Sequence, residues 1–460
     1  MNSQLQSKMY FCSLGCLLTS IAFLADCAGL PSVSPSLTPS STPTTLPMST
    51  ATSLPSPTQT AAPTRTPTIT PSPTRTATPL AHTQTGWVAQ QGGADNARAN
   101  LSAKLVLPLK LAWEWKEQND SPQAVAIAND QVFMLTTRGQ FCILDAKTGA
   151  QKICQPIWEQ VRGSTSSQIA LSGDTAIASA LEIYIKPGDR YGSARTRLVA
   201  FSLDGKLRWA LPSLEDQGSQ AIAFGNGIVI SVSRTGQTES LTAFDIVSGA
   251  QRWKIPGFFN HGASDGTSLY TDNGNTQAWR LNTMELIWEQ STAARHVLYA
   301  EGRVFAVGDN AITGLDAITG KSLWKTTFGV FPLLPDQVGV AAAHGNLYVL
   351  PAPGQTHLGY GSGLMTLDAA TGKEIWSAIT GPDLRANHIA ATVDALVVLG
   401  TEWDGTNFVK TLWILNPANG AILDRVSLST DYLDTIRNLA VADNQVYVLG
   451  QTLRVYGPSR

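Results

Sequence analysis

Charge is scarce in this 460-residue chain. Charged residues make up 14%, and 32 Lys and Arg stand against 34 Asp and Glu, for a net charge of −2. A nucleic-acid binder carries a basic face or stripe, so no nucleic-acid partner is expected. Chemistry-bearing motifs are equally thin. No H-E-x-x-H zinc helix and no Gly-Lys phosphate loop occurs. Cysteine is limited to five residues, none adjacent in the chain and none in a C-x-x-C-H haem-attachment run. The sequence names no catalytic residue and no metal ligand set. A carboxylate pair for glycoside cleavage, gathered from distant loops, stays open.

The first segment reads as an export signal. Lys8 and the amino terminus make a weak positive region, and Met9 to Ala25 is apolar and uncharged, a length that suits a secretory core better than a membrane span. It ends in Leu24-Ala25-Asp26-Cys27-Ala28-Gly29, which resembles the bacterial lipoprotein signal. That resemblance implies lipidation at Cys27 and a membrane anchor. Asp26 departs from the pattern, where a small residue is expected, so an uncleaved anchor or plain secretion stand beside it. Each reading exports the chain to the cell envelope or surface.

Residues 28–85 are a second region, almost continuous Ser, Thr and Pro from Pro31. They hold too few apolar side chains to bury and read as a disordered spacer or a glycosylated stalk. Folded sequence is expected over 86–460. Export makes its two cysteines informative. Cys142 and Cys154 flank a turn nearly symmetrically, which places them opposite one another as a disulfide or as two thiols in apolar niches.

That folded region is organised by a repeat. Leu364 to Trp376 reads L-M-T-L-D-A-A-T-G-K-E-I-W, and Ile312 to Trp324 repeats it almost letter for letter. Weaker copies stand at Ile143 to Ile153, Leu198 to Trp209, Leu241 to Trp253, Gln277 to Trp288 and Leu412 to Asp424. Each is two short strands around a tight turn, with Gly supplying positive φ and Asp bonding the turn amides. Repeats at this spacing mean a propeller or solenoid. Lys110-Leu111-Ala112-Trp113 matches a repeat end with no turn before it, and Gln445 to Tyr456 reads as middle strands with no final one. Joined, they close a ring and remove its sheet edges. The prediction is an all-β, eight-bladed β-propeller of four-stranded antiparallel blades, with seven blades as the alternative.

The hairpin Asp-x-x-Thr-Gly-Lys-x-x-Trp resembles the repeat of the PQQ-like, quinoprotein dehydrogenase-like propellers from about Lys110 onward. The resemblance implies that Trp209, Trp253, Trp288, Trp324 and Trp376 dock each blade on its neighbour. Departures are expected where Ile153 and Asp424 replace the Trp, where Asn282 and Asn416 replace the Asp, and where Met284-Glu285 stand for Thr-Gly. The family contains PQQ-dependent dehydrogenases, which hold the cofactor against adjacent cysteines beside calcium, and non-catalytic propellers. With no adjacent cysteines and no dense acidic set, no cofactor is expected. PQQ with calcium belongs to the alternative, a quinoprotein oxidoreductase or PQQ-binding sensor.

The expected function is therefore a surface-anchored scaffold that binds a protein or polysaccharide. Its binding face should be the one carrying the long second-to-third-strand loops, Lys186 to Thr196, Gln355 to Gly363 and Thr401 to Val409. These hold Tyr191, Tyr360, Trp403 and Phe408. Exposed rings suit recognition, and rings folded back on their own blades are the plainer reading. On the same face, His261, Arg295, His296, His388 and Arg437 enter the innermost strands. They form an anion or small-ligand pocket, or simply the polar lining of a wet channel mouth.

Overall fold

In the computed structural model the described residues are 86–87, 97–157, 164–184, 193–211, 214–215, 220–225, 227–235, 238–256, 262–328, 339–350, 363–378, 384–429 and 436–459. The regular elements among them are β-strands, and they form eight sheets arranged as an eight-bladed propeller. Blade 6 shows the plan: inner strand Gly339–Ala343, then Asn346–Leu350, Leu364–Asp368 and outer strand Glu374–Ala378, paired in sequence order. Inner strands converge on an axis, so they carry small residues such as Ala341, Ala342, Ala390, Ala391 and Ala440, all buried. Wider apolar side chains fill the space between blades. One such layer joins Phe133 and Phe141 of blade 1 to Phe201 of blade 2, the rings of Phe141 and Phe201 stacking at 4.2 Å.

The ring closes as expected. Leu109–Trp115 pairs antiparallel with Leu453–Pro458 and becomes the outer strand of blade 8. Two further pieces of the N-terminal region were not foreseen. Gly86–Trp87 pairs antiparallel with the inner strand of blade 1, Gly86 opposite Ala128. Ala99–Asn100 pairs parallel with the inner strand of blade 7, Ala99 opposite Ala391. The N-terminal region thus meets the inner edges of blades 1 and 7 as well as the outer edge of blade 8.

The repeat turn is built from its letters. Asp368 Oδ1 accepts from the amides of Ala370 (3.1 Å) and Thr371 (2.7 Å) and from the Thr371 hydroxyl (2.7 Å). The Thr371 hydroxyl is the main reason its carboxyl lies below the ordinary carboxylate range. Gly372, at φ 69°, donates to the Asp368 carbonyl at 2.8 Å. The glycine has a second duty: the Trp of the preceding blade lies on it. A Cβ on Gly149, Gly249, Gly320, Gly372 or Gly420 would stand closer than 3.0 Å to Trp113, Trp209, Trp288, Trp324 or Trp376 respectively.

Most of the docking indoles also make a bond across the seam. Trp209, Trp253, Trp288 and Trp324 donate Nε1–H to the carbonyls of Ile246, Leu281, Ala317 and Ala369, at 3.0 to 3.1 Å. Trp113 does the same to Ala146 at 2.9 Å, so it joins the set. Trp376 packs on Gly420 yet leaves Nε1 without a partner among the described residues.

Two departures read differently in the structure. In blade 4, Arg280 holds the Asp position, because its amide and carbonyl bond Glu285 and Met284 as Asp368 bonds Lys373 and Gly372. Met284 takes the Gly position at φ 53°; Asn282 is not the substituted Asp. Asp424 replaces the Trp of blade 7 for a structural reason. Blade 8 has no third-to-outer-strand turn to dock on, and Asp424 Oδ2 instead accepts the Leu109 amide at 2.7 Å, where the closing strand begins.

Cys142 and Cys154 lie directly opposite across the third and outer strands of blade 1, with Cα atoms 4.1 Å apart, and are joined as a disulfide. With 12 residues of separation, the bond removes unfolded-state freedom worth about 3 kcal/mol in the chain-entropy picture. A Cys142→Ala/Cys154→Ala variant is expected to melt earlier than the parent. Addition of a reductant should lower the parent's melting temperature and leave the variant's unchanged.

Candidate functional site

The second-to-third-strand connections and the links between blades share one face of the ring, and the Asp-Gly turns lie on the other. On the long-loop face, Trp403 and Phe408 are the best-defined aromatic feature. The second and third strands of blade 7, Leu396–Trp403 and Phe408–Leu415, run eight residues each, so the segment read as a loop is mostly a projecting hairpin. Its tip is fixed by Asp404, whose Oδ1 accepts the amides of Thr406 and Asn407 at 2.8 Å. The two rings meet edge to face at 5.0 Å and stay 40% and 38% exposed. Below them Arg425 pairs with Glu402. Tyr191, Tyr360 and His261 lie outside the described residues.

Of the residues expected at the channel mouth, Arg295, His296, His388 and Arg437 are among the described residues. Arg295 is taken by Asp309 of its own blade, through Nε at 2.8 Å and Nη2 at 3.1 Å. This exposed pair borders a shallow cavity of about 340 Å³ reaching Thr292, Asn310 and Lys325. His296 opens the inner strand of the same blade.

His388 and Arg437 are brought near each other instead, on the side of the channel shared by blades 7 and 8. His388 sits within the inner strand Leu384–Thr392, and its ring hydrogen-bonds the Ile436 carbonyl, one residue before Arg437. Burial, with the Arg98 charge nearby, draws the imidazole down to about 4, so it is neutral at pH 7. Burial also lowers the Arg98 guanidinium to about 10 and draws Arg437 below its usual range. Arg98 was invisible in sequence, lying before the first recognisable repeat strand.

One sequence match is uninformative once placed. Gly262-Ala263-Ser264-Asp265-Gly266 spells G-x-S-x-G, the nucleophile-turn motif. Ser264 here ends the three-residue inner strand of blade 4, 1% exposed, with Oγ accepting the Gly266 amide at 2.9 Å. The turn leads to another strand, and the serine has a structural role.

A quinone cofactor with calcium would need a carboxylate-rich set at the axis and, by the family resemblance, adjacent cysteines. The two cysteines of the propeller are bonded to each other in blade 1. Among the described residues no group of three His, Cys, Asp or Glu converges as a metal site. The described residues do not supply that set.

Comparison with known proteins agrees with the architecture. The family model described as "Outer membrane protein assembly factor BamB" matches three overlapping stretches, 110–290, 237–401 and 279–457. No curated protein matches in sequence. Among solved structures, a quinohemoprotein alcohol dehydrogenase from Pseudomonas putida HK5 superposes with a TM-score of 0.59 at 13% identity, over 82% of this chain and 81% of that one. The computationally designed Ika8 protein gives 0.57 at 14%, over 75% and 99%. BamB from Moraxella catarrhalis gives 0.50 at 15%, over 76% and 98%. At these identities the structures are alike in fold alone.

Proposed function

Because the chain belongs to the PQQ_2 family, described as the outer membrane protein assembly factor BamB, we propose that it is an exported, envelope-anchored, non-catalytic propeller that docks a protein partner with its long-loop face. The observation that carries this reading is the exposed Trp403–Phe408 pair on its braced hairpin. Large rigid rings held clear of the core are typical interface anchors. Several features support the setting. The apolar run before Cys27 and the Ser/Thr/Pro spacer suit an anchored, extracytoplasmic domain, and the Cys142–Cys154 bond suits an oxidising compartment. The family's description as an assembly factor favours a protein over a polysaccharide. An oxidoreductase reading rests on likeness of fold to the alcohol dehydrogenase, and no described residue set adds to it.

A photo-cross-linking side chain at position 403 or 408, in the native envelope, is expected to capture one discrete protein. The same group at Ile318, exposed on the turn face, should not. Trp403→Ala with Phe408→Ala should weaken partner retention by tenfold or more at an unchanged melting temperature. Equal capture from both faces, or undiminished retention by the double variant, would overturn the reading.

A further inference from the structure

We propose that the N-terminal segment makes the central channel a closed-ended pocket in which Arg98 seats a small polyvalent oxyanion, entering from the long-loop face. The attachment of this segment is visible in the hydrogen bonds. At the turn-face ends of three consecutive inner strands, the Ala97 carbonyl accepts the Ala342 amide of blade 6 at 2.9 Å, and the Arg98 carbonyl accepts the Ala391 amide of blade 7 at 3.0 Å. The buried Asn100 side chain donates to the Val441 carbonyl of blade 8 at 3.0 Å. The chain then leaves under blades 7 and 8. Ala103 accepts from Val393 at 3.0 Å, Leu105 donates to Asp394 at 3.1 Å, and Val106 donates to Asn444 at 2.5 Å. This strap runs along the turn-face ends of the inner strands of blades 6, 7 and 8.

The strap carries a largely buried cation, close enough to His388 to act on it. Six other arginines of the propeller are matched with carboxylates: Arg208 with Asp174, Arg252 with Asp245, Arg280 with Glu285, Arg295 with Asp309, Arg425 with Glu402 and Arg454 with Glu114. Arg98 has no ion pair among the described residues, although it is mostly buried. Arg437, at the long-loop end of the same side, has none among the described residues either. A guanidinium removed from water is costly unless an anion meets it, and its planar fork matches a carboxylate or phosphate edge. Between inner strands converging on one axis the space is limited, which favours a compact ligand with two or more acidic groups. His388, between the two arginines, has one ring nitrogen engaged with Ile436 and the other available to the ligand.

Calorimetric titration of the full chain with citrate, and separately with inorganic phosphate, at low ionic strength tests the seat. Saturable one-to-one uptake of at least one anion is expected, weakened tenfold or more by Arg98→Gln and several-fold by Arg437→Gln. The exposed Arg138→Gln should bind as the parent does. Uptake of citrate alone assigns a carboxylate ligand, and uptake of phosphate alone a phosphate. Failure of the parent to take up either anion overturns the proposal, as does equal affinity in Arg98→Gln. Hydrogen exchange at the Ala342 and Ala391 amides reports whether Arg98→Gln keeps the strap. If it does not, Arg437→Gln, outside the strap, decides: unchanged affinity there overturns the seat.

Discussion

Gly372→Ala is expected to destabilise the propeller by about 2–5 kcal/mol, more than a surface turn glycine normally commands. Two separate penalties meet at this position. Its φ of 69° is left-handed, which costs a residue with a Cβ about 1–2 kcal/mol. A Cβ there would also stand 2.5 Å from Trp324 Cδ2 and 2.8 Å from Thr326 Oγ1. Overpacking of this kind adds about 1–3 kcal/mol. The indole cannot simply retreat, because its Nε1–H is bonded to Ala369 and Thr326 Oγ1 donates to the Gly372 carbonyl at 2.6 Å. Gly173 separates the penalties: its φ is 57°, and a Cβ there would meet nothing within 4 Å. Gly173→Ala should therefore lose only the backbone part. Thermal and denaturant unfolding of both variants checks this, and equal losses would mean that the Trp–Gly contact contributes little.

Trp113→Ala should be at least as damaging, costing about 3–5 kcal/mol as other buried Trp truncations do. The indole is 9% exposed, meets Tyr447 edge to face at 6.3 Å, covers Gly149 and bonds Ala146. It differs from its counterparts in where it sits. The other docking tryptophans join blades that the chain already connects in order. Trp113 lies in the closing strand, in the blade assembled from both ends of the fold, so its loss loosens the seam that shuts the ring. Melting of Trp113→Ala beside Trp324→Ala measures the difference. The seam variant should also expose the inner edge of blade 1 to faster hydrogen exchange, at Ile127 and Ala128. A variant that melts like Trp324→Ala with unchanged exchange would show that closure does not depend on this ring.

Much of the fold was legible because a propeller repeats one local solution. The Asp, Thr and Gly of Asp368 to Gly372 do in space what their chemistry says: carboxylate to amides, hydroxyl to carboxylate, glycine at positive φ. Trp324 and Trp376 could be assigned a docking role from resemblance, and the structure supplies its cause in the glycine of the next turn. Where the repeat decays, register was misread. Arg280 accepts the backbone pattern of the Asp position without offering a carboxylate, so the letters alone pointed to Asn282. Asp424 looked like damage to a motif and is the acceptor for the strand that closes the ring.

The candidate site was less legible, since its members belong to no repeat. Sequence placed His388 and Arg437 at the entrances to inner strands, but it grouped Arg295 with them, and only the third dimension puts Asp309 within reach of that guanidinium. Arg98 had no signal at all. Its stretch pairs with strands nearly 300 positions away in the chain, and two-residue pairings leave no periodicity to read.

By itself, then, the sequence determined the blade, its turn chemistry, the number of blades and the way the ring closes, because each follows from contacts within one hairpin or between neighbouring copies. Tertiary structure alone decided which N-terminal residues meet the inner strands, which arginine is paired and which aromatic pair stands exposed. Those outcomes depend on residues far apart in the chain competing for the same space and the same counter-charges, and no local pattern encodes the winner.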